Sequence, residues 1–371
     1  MKRLLVIGMA LSLMLLAMSC GKSSETNSSP AAAGTTAKSS TAVSAGGSGV
    51  YKIGIATREI TNDYNRDIIS SAQKVVEGAG GSVVIADANA DYQKHNENIE
   101  NLINSGIDGL IIQLGDAQQL TPIVAKATAK KIPVICAGVG APIPGVLSDL
   151  NGDNPLLTVL AADALLSAVG YKGTIYVVYV PGAPLLETRR RIFQSICADF
   201  PQVKLIDVPA EHNPAKVQTQ IEEILTANPV KGSIAGVYGT YDMLVSGANE
   251  AIRRAGRDEI KVIGIDGDKI AFQMLLQDGS PFVTTVVQDS PGIGRQCAEI
   301  LLGVLNGKID PSTIAPQIPA TCYTATRKNV VEAVGLRWGE GFWNDVQISK
   351  DEIIAKYPQT DPVQVVSPTV P

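Results

Sequence analysis

Apolar runs and amphipathic stretches alternate along the chain from Tyr51 to about residue 138. The first run, YKIGIAT, is followed at 66–79 by apolar side chains that recur every three or four positions and so share one helical face. This pair of patterns occurs three times before a fourth apolar run, IPVICAG, ends the series. Nearly continuous apolar strands separated by helices predict a buried parallel sheet with helices on both of its faces.

A second series of the same kind begins with an apolar, helix-like stretch at 155–170. Five further apolar runs predict strands at 173–180, 203–208, 232–239, 260–267 and 282–289, and helical patterns lie between or after them at 184–199, 214–227, 242–255, 268–278 and 292–306. Two successive α/β units of similar size predict two similar lobes. From residue 310 onward the sequence is rich in proline and irregular, and its end is expected to be a loose tail.

The first twenty residues have the order of a secretory signal. Two basic residues precede an apolar run, Leu4 to Leu16, that is too short for a comfortable membrane span, and small residues follow it. Cys20, at the cleavage point, resembles the lipid-attachment site of bacterial lipoproteins, which implies an anchor made of acyl chains. The alternative is an ordinary signal peptide with a chance cysteine. Residues 21–50 are almost all small or polar and predict a flexible tether with a reach of about 30 Å.

The composition narrows the class of protein. The chain has 371 residues, 45% of them hydrophobic, and a formal net charge of −5, which argues against a general nucleic-acid binder. Cys136, Cys197, Cys297 and Cys322 lack metal-ligand spacing and are expected as buried thiols, although an exported chain leaves a Cys297–Cys322 bridge open. With two histidines and no nucleotide, nucleophile-elbow or zinc-protease motif, neither catalysis nor a cofactor nor a metal is expected.

Several segments between residues 51 and 310, taken in order, resemble the periplasmic sugar-binding proteins of the ribose-binding type, the receptors of ABC importers. The segments that carry the resemblance are YKIGIATREITNDYNRDIISSAQ, NLINSGIDGLIIQ, KIPVI, TRRRIF, YDMLVSGANEAIRRAG, VIGIDG and TTVVQDSPGIG. The resemblance implies an α/β fold of the type I periplasmic binding kind, with two Rossmann-like lobes joined by a three-stranded hinge. It places the ligand in the interlobe cleft, which agrees with ligand binding beyond the carboxyl ends of parallel strands.

The resemblance also divides the chain into lobes. The N-terminal lobe is expected to comprise residues 51–152 and 289–318, and the C-terminal lobe residues 153–288 and 319–345. Residues 346–371 are then left as an irregular tail.

Ligand contacts are implied directly after the first strand, at Arg58, Asn62, Tyr64 and Asn65. Asn62 can donate to and accept from a hydroxyl, and the Tyr64 ring can stack on the apolar face of a sugar. The alternative is a surface turn that only caps the following helix.

The second lobe supplies five more implied ligand contacts: Arg189, His212, Tyr241, Asp266 and Gln288. Arg189 offers a rigid fork of donors, and Asp266, at a strand tip, can accept bonds from paired hydroxyls. Tyr241 stands where the family has an asparagine, and His212 where it has an aromatic wall. The alternatives are a solvated charge run around Arg189, a helix cap at Asp266, a hinge position for Gln288 and an exposed loop position for His212.

The loop after the fourth strand, GVGAPIPG at 138–145, has the glycine content of a phosphate site. No helix begins directly after it, however, and its two prolines have no N–H to offer a phosphate. The ribose-binding relatives carry an Asp-Arg pair that contacts the sugar where this chain has Gly138 and Val139. Gly138 is therefore expected to line the cleft without that charged pair, which implies a ligand other than ribose.

These observations predict an extracytoplasmic lipoprotein, monomeric and anchored through Cys20, that delivers a solute to the transmembrane permease subunits of an ABC importer. The expected ligand is a small polyol, a pentose-sized sugar or an anionic relative. The anionic relative is included because Arg58 and Arg189 favour a carboxylated sugar, and the small size because the few aromatic residues weaken the stacking expected for a pyranose. The alternative is a sensory receptor of the same fold that signals to a chemotaxis or kinase partner. A regulator of the lac-repressor type is not expected, because a predicted signal and tether occupy the place of its DNA-binding helices.

Overall fold

Strands and helices alternate through most of the residues that the computed structural model describes, 50–346 and 348–367. In chain order they are β1 (Lys52–Thr57), α1 (Asp63–Gly78), β2 (Ser82–Asp87), α2 (Tyr92–Asn104), β3 (Gly109–Gln113), α3 (Ala117–Ala129), β4 (Val134–Ala137), β5 (Asp149–Gly152), α4 (Asn154–Val169), β6 (Gly173–Tyr179), α5 (Pro184–Cys197), β7 (Val203–Pro209), α6 (Pro214–Ala227), β8 (Gly236–Gly239), α7 (Asp242–Arg254), β9 (Lys261–Asp266), α8 (Lys269–Leu276), β10 (Phe282–Gln288), α9 (Ser290–Leu305), β11 (Gln317–Ala320), β12 (Cys322–Thr326), α10 (Val330–Arg337) and α11 (Lys350–Lys356). Short 3₁₀ segments lie at Pro311–Thr313 and Glu340–Asn344.

The N-terminal lobe is built on a parallel sheet with the strand order β11-β5-β4-β3-β1-β2. Its strands are apolar toward both faces. Ile53, Ile55 and Ile111 pack with α1 and α9, whereas Leu110 and Ile112 pack with α2 and α3. Burial on both faces explains why these strands read as continuous apolar runs in the sequence.

The C-terminal lobe is built on a second sheet with the order β12-β10-β9-β8-β6-β7, in which only β12 is antiparallel to its neighbour. Helices α4 and α5 cover one face, where the rings of Phe193 and Tyr238 stack with centroids 4.0 Å apart. Helices α6, α7 and α8 cover the other face. The α/β fold of two Rossmann-like lobes predicted from the sequence is thereby confirmed.

The chain passes between the lobes three times: from β5 to α4, from β10 to α9, and from β11 to β12. The third passage corrects the boundary expected between residues 318 and 319. Strand β11 pairs with β5 as far as Ala320 opposite Gly152, so it belongs to the N-terminal sheet to its last residue. The passage therefore falls between Ala320 and Cys322.

The C-terminal segment is more ordered than the sequence predicted. Helix α11 begins with a capping box between Ser349 and Glu352, and its Ile353 is fully buried in the core of the second lobe. Further on, Val366 forms an isolated antiparallel bridge with Cys322, just after the third passage between the lobes. The expectation of an irregular tail over 346–371 is wrong for these residues, because a single buried position in a seven-residue helix leaves almost no periodic signal.

The four described cysteines, Cys136, Cys197, Cys297 and Cys322, are buried and free, as expected, and the Cys297–Cys322 bridge left open is not formed. The predicted signal, Cys20 and the tether up to residue 49 lie outside the described residues. In the described part of the chain, no helix combines the length and apolar character that a membrane crossing requires. Nor do the described residues include three or more His, Cys, Asp or Glu side chains placed to hold a metal ion.

Candidate ligand-binding cleft

A cavity lies between the lobes, at the carboxyl ends of strands from both sheets. Its unfilled space is about 540 Å³, including the mouth that opens to solvent. Nine of the ten residues singled out from the sequence line it: Arg58, Asn62, Tyr64, Asn65, Gly138, Arg189, His212, Tyr241 and Asp266. The other lining residues are Glu59, Tyr92, Leu114, Gly115, Val139 and residues 183–186. Segments that follow strands β1 to β4 of the first lobe therefore converge with segments of the second lobe on one space. Open α/β sheets bind ligands at this edge of the sheet.

The start of α1 supplies three lining residues and also caps its own helix. The Asn62 side chain is the N-cap and accepts a bond of 2.9 Å from the backbone N–H of Asn65, so the capping role and the lining position coexist. The side-chain oxygen of Asn65, Oδ1, accepts a bond of 2.8 Å from Gln113 Nε2. Within the described residues, the side-chain amide nitrogen of Asn65, Nδ2, and the Tyr64 hydroxyl are buried without a hydrogen-bond partner. Burial raises the pKa of Tyr64, so its hydroxyl keeps its proton.

Arg58 reaches across the cleft. Its Nη2 lies 2.9 Å from Glu59 Oε1 and 2.8 Å from His212 Nε2, which belongs to the other lobe, and its Nη1 donates to the Tyr92 hydroxyl at 3.2 Å. Because a guanidinium can only donate, His212 Nε2 must accept, and the ring proton sits on Nδ1. That N–H donates to the Tyr241 hydroxyl at 2.9 Å, which leaves the hydroxyl's own proton for another acceptor.

His212 is held neutral by the same arrangement. Burial lowers its pKa, and the Arg58 charge lowers it further, against an opposing effect of Glu59. The exposed loop position considered for His212 is therefore wrong, because the ring is packed between Arg58 and Tyr241.

Arg189 and Asp266 form a buried ion pair on the second lobe. Arg189 Nη1 lies 2.9 Å from Asp266 Oδ1 and donates to the carbonyl oxygen of Thr240 at 2.8 Å, and its Nε donates to Asn154 at 2.8 Å. Its side chain is 1% exposed, which rules out the solvated charge run. Asp266 does not cap α8 either: that helix starts after Asp268, and Asp266 has a backbone φ of 117°, outside the region L-residues favour.

Gln288 does not lie on the cavity wall. Its amide nitrogen donates to Asp266 Oδ1 at 2.6 Å from behind, at the second passage between the lobes. Gln288 therefore contacts the cavity wall through Asp266, and its role as a direct ligand contact stays a prediction.

The charges around the cavity cancel in pairs. Arg58 is neutralised by Glu59, and Arg189 by Asp266, with all four side chains buried. A charge that is removed from water needs an opposite charge beside it. The carboxylated ligand that the two arginines favoured in the sequence therefore loses its main support.

The glycine loop after β4 is occupied by a carboxylate of the chain itself. Asp149 Oδ1 accepts from the backbone N–H of Val139 at 3.1 Å, and its Oδ2 accepts from Gly140 at 2.7 Å and from the Asn151 amide at 2.8 Å. Two backbone donors that a phosphate would need are thus already bonded. The sequence argument against a phosphate cradle is supported by this internal partner.

Gly138 makes room for the tyrosine opposite. Its φ is +79°, and a Cβ built there would lie 2.6 Å from the Tyr64 hydroxyl oxygen. Glycine is thus required twice, by the backbone and by the close approach.

Sequence reasoning missed the apolar part of the wall. Leu114 lies in a connecting loop, where a single apolar residue carries no periodic signal. Leu185 and Leu186 lie in the first turn of α5, and their apolar side chains predict helix burial without distinguishing the cleft from the core. Glu59 and Tyr92 were also missed. The one available signal for Glu59 was its position beside Arg58, directly after an apolar strand.

Residues 53–309 match the model of the periplasmic binding protein domain family, and this match covers more than half of the chain. The chain therefore belongs to the periplasmic binding proteins, extracytoplasmic proteins that bind substrates for transporters and are not enzymes.

Individual relatives place the chain more narrowly. It is 28% identical over 266 residues to the ribose import binding protein of Bacillus subtilis, covering 71% of this chain and 85% of that protein. It is 25% identical to a xylitol-binding protein of Mycolicibacterium smegmatis, over 62% of this chain and 66% of that protein. A solved ABC transporter solute-binding protein from Agrobacterium vitis, with bound allitol, matches with a TM-score of 0.71 and 26% identity, covering 76% of this chain and 98% of that one. The resemblance to ribose-type binding proteins is confirmed.

Proposed function

We propose that this chain is the lipid-anchored receptor of an ABC importer and that it binds a small, neutral sugar or polyol by closure of its two lobes. The observation that carries the proposal is a cavity between the lobes lined by three residues with a buried, unpartnered polar group: the Tyr64 hydroxyl, the side-chain amide nitrogen of Asn65 and Arg58 Nε. Buried polar groups normally find a partner, and ligand hydroxyls would supply one.

Direct bonds between the lobes support the closure mechanism. Besides the Arg58–His212 contact, the N–H of Lys269 donates to Asp63 at 2.7 Å, and the N–H of Tyr64 donates to Asp268 at 3.2 Å. Arg337 of the second lobe also pairs with Asp67 of the first. A ligand enclosed by the lobes would favour this closed arrangement over an open one, which is how such receptors couple binding to shape.

The relatives' ligands agree with the charge balance of the cavity. The names of the three relatives refer to ribose, xylitol and allitol. All three are neutral, and two paired arginines favour a neutral polyhydroxy compound over an anion.

The test is titration calorimetry of the full chain with neutral pentoses, pentitols and hexitols, and with sugar acids as matched anions. We expect at least one neutral compound to bind with a Kd of 10 µM or below, and the acids to bind at least about tenfold more weakly. Absence of binding by every neutral compound would overturn the proposed function. Tighter binding of a sugar acid would overturn its neutral specificity.

The anchor and the partner are tested separately. Cys20→Ser, expressed in a bacterium with lipoprotein processing, is expected to leave the membrane fraction, whereas Cys322→Ser, at a buried free thiol, stays with it. Copurification of ligand-loaded chain with permease transmembrane subunits supports the importer role. Equal membrane retention of both variants contradicts the anchor.

A further inference from the structure

A cluster of three polar side chains joins the lobes outside the lining of the cavity. Arg337, the last residue of α10 in the second lobe, pairs with the Asp67 carboxylate on α1 of the first lobe. The same Arg337 nitrogen, Nη2, donates to the hydroxyl of Ser290, which begins α9 of the first lobe, at 3.0 Å. That hydroxyl lies 3.4 Å from Asp67 Oδ2. Arg337, Asp67 and Ser290 are called the closure cluster below.

The second lobe and the C-terminal segment hold Arg337 in position. Helix α10 has three fully buried residues in the core of that lobe: Val330, Ala333 and Val334. The guanidinium lies over the ring of Trp338, 4.1 Å from its centroid. Glu332 of the same helix accepts from the N–H of Val363 at 2.9 Å. Helix α10 and this segment lie outside residues 53–309, so the cation comes from a part of the chain beyond the match to the family domain.

The two charges of the closure cluster differ in their access to water. The Arg337 side chain is 4% exposed, whereas that of Asp67 is 23% exposed. Among the described residues, Arg337 Nε is also buried without a hydrogen-bond partner. A buried guanidinium has lost its water, and removal of the carboxylate beside it leaves an uncompensated charge. The closed form therefore depends on Asp67 of one lobe to neutralise a cation of the other.

Separation of the lobes would break the closure cluster. Asp67 and Ser290 belong to helices of the first lobe, whereas Arg337 belongs to the second, so opening moves the partners apart. Water would then reach the guanidinium. Contacts of this kind exist only after encounter, and differences in affinity between related complexes lie mostly in the dissociation rate.

Resting on the proposed function, we infer that Arg337 is a positioning residue for the closed form, and that its pairing with Asp67 sets how long a sugar or polyol stays enclosed. None of the three members of the closure cluster lines the cavity. The closure cluster therefore lengthens the residence of every compound that allows closure, and it does not choose among them.

The experiment measures association and dissociation rates by surface plasmon resonance on the immobilised full chain. The probes are D-ribose, xylitol, allitol and any other compound of the neutral panel that binds. Asp67→Ala is expected to raise the dissociation rate at least about tenfold, because the buried Arg337 charge loses its carboxylate. Arg337→Met should raise it only about threefold, since water reaches the remaining carboxylate.

The double variant Asp67→Ala/Arg337→Met separates a pairing role from two independent effects. Its dissociation rate should resemble that of Arg337→Met, because residues in direct contact do not contribute additively. Association rates should change by less than about twofold, and the factors should agree among the probes.

Two control variants remove like charges that do not join the lobes. Glu77→Ala removes an exposed carboxylate of α1 that accepts from Gln73 of the same helix. Arg327→Met removes an arginine that donates to the carbonyl oxygens of Leu275 and Ser280 within the second lobe. Both should keep the natural dissociation rate, although Arg327→Met should lower the unfolding temperature. Thermal unfolding checks that every variant folds.

Dissociation at the natural rate from both Asp67→Ala and Arg337→Met overturns the inference while the proposed function stands. A rate in the double variant equal to the product of the two single effects overturns it as well, because the residues would then act independently. If no compound of the neutral panel binds the natural chain, both the inference and the proposed function are overturned.

Discussion

His212 has each ring nitrogen fixed by a different partner, and one of those partners belongs to the opposite lobe. Protonation would put a second cation 2.8 Å from Arg58, and it would add a proton where none can be accepted. The closed arrangement therefore holds only the neutral ring. Opening would separate His212 from Arg58 and return the ring toward its ordinary pKa.

Ligand affinity is expected to depend on pH through this ring. The pKa of His212 is lowered in the closed form, so closure is favoured above the ordinary value of 6.5 and disfavoured as the pH falls below it. Calorimetry with the tightest neutral ligand should show affinity falling at least about threefold between pH 7.5 and pH 5.5.

The control is His212→Gln, whose amide can accept from Arg58 and donate to Tyr241 without titrating. Its affinity should stay nearly constant over the same pH range. Parallel losses in the variant and the natural chain would show that another group carries the pH effect.

Gly138 and Gly140 form a matched pair for a second test. Both have positive φ, +79° and +73°, but only at position 138 would a Cβ meet other atoms within 4 Å: the Tyr64 hydroxyl oxygen at 2.6 Å and Leu114 Cδ2 at 3.3 Å. Gly138→Ala and Gly140→Ala should therefore both lose about 1 kcal/mol of stability to backbone strain. Only Gly138→Ala should also weaken ligand binding, by about tenfold, because it displaces Tyr64; equal binding in both variants would refute this role.

Helices α1 and α8 meet end to end across the cleft and cap each other. Asp63 at the start of α1 accepts from the first N–H of α8, and Asp268 before α8 accepts from the N–H of Tyr64 in α1. Helix N-termini carry unsatisfied donors and partial positive charge, so each carboxylate relieves both. Neither α1 nor α8 could be completed in this way with the lobes apart.

Removing one of these caps should weaken binding more than it weakens the fold of a lobe. Asp63→Ala loses a cap that exists only between the lobes, worth about 1 kcal/mol, so ligand affinity should fall about fivefold. Asp91→Ala, which removes the cap of α2 within one lobe, is the control. It should lower the unfolding temperature without changing affinity, and similar affinity losses in both variants would argue against capping across the cleft.

Most elements were predictable because burial requires apolar residues, which form continuous runs in the strands and recur every three or four positions in the helices. Strands β1 to β4 and their helices follow the apolar pattern closely, and so do β6, β7, β9 and β10. Strand β5 has the sequence Asp-Leu-Asn-Gly and was missed, because its buried polar side chains are satisfied by hydrogen bonds and give no apolar run. The lining positions that came from the family resemblance were found, whereas the hydrocarbon wall was not, because only tertiary packing brings Leu114 near Leu185.

The second lobe holds three buried carboxyl groups near the cleft, those of Asp242, Asp266 and Asp268, of which Asp266 also lines the cavity. Asp242 accepts from the N–H groups of Gly267 and Asp268 and from the Thr285 hydroxyl. Burial, followed by the charge of Asp266, raises the pKa of Asp242 to about 7. The folded chain therefore holds a proton here that the unfolded chain releases at lower pH.

The free energy of unfolding should depend on pH through this proton. Because the folded pKa is raised, the contribution of Asp242 is fully present below its ordinary value near 3.8 and is lost as the pH rises through about 7. Between pH 5 and pH 8 the unfolding temperature of the natural chain should fall by roughly 3 °C more than that of Asp242→Asn. A constant difference across this range would assign the proton to another carboxyl group.

Asp149 competes with any phosphate group for the backbone donors of the glycine loop. Its carboxylate is a competitor tethered at the glycine loop, and a tethered group acts at an effective concentration on the order of millimolar or more. A free sugar phosphate would have to displace it while bringing two charges next to a third. A ligand phosphate could reach these two N–H groups only by displacing Asp149, so the loop disfavours a phosphorylated ligand.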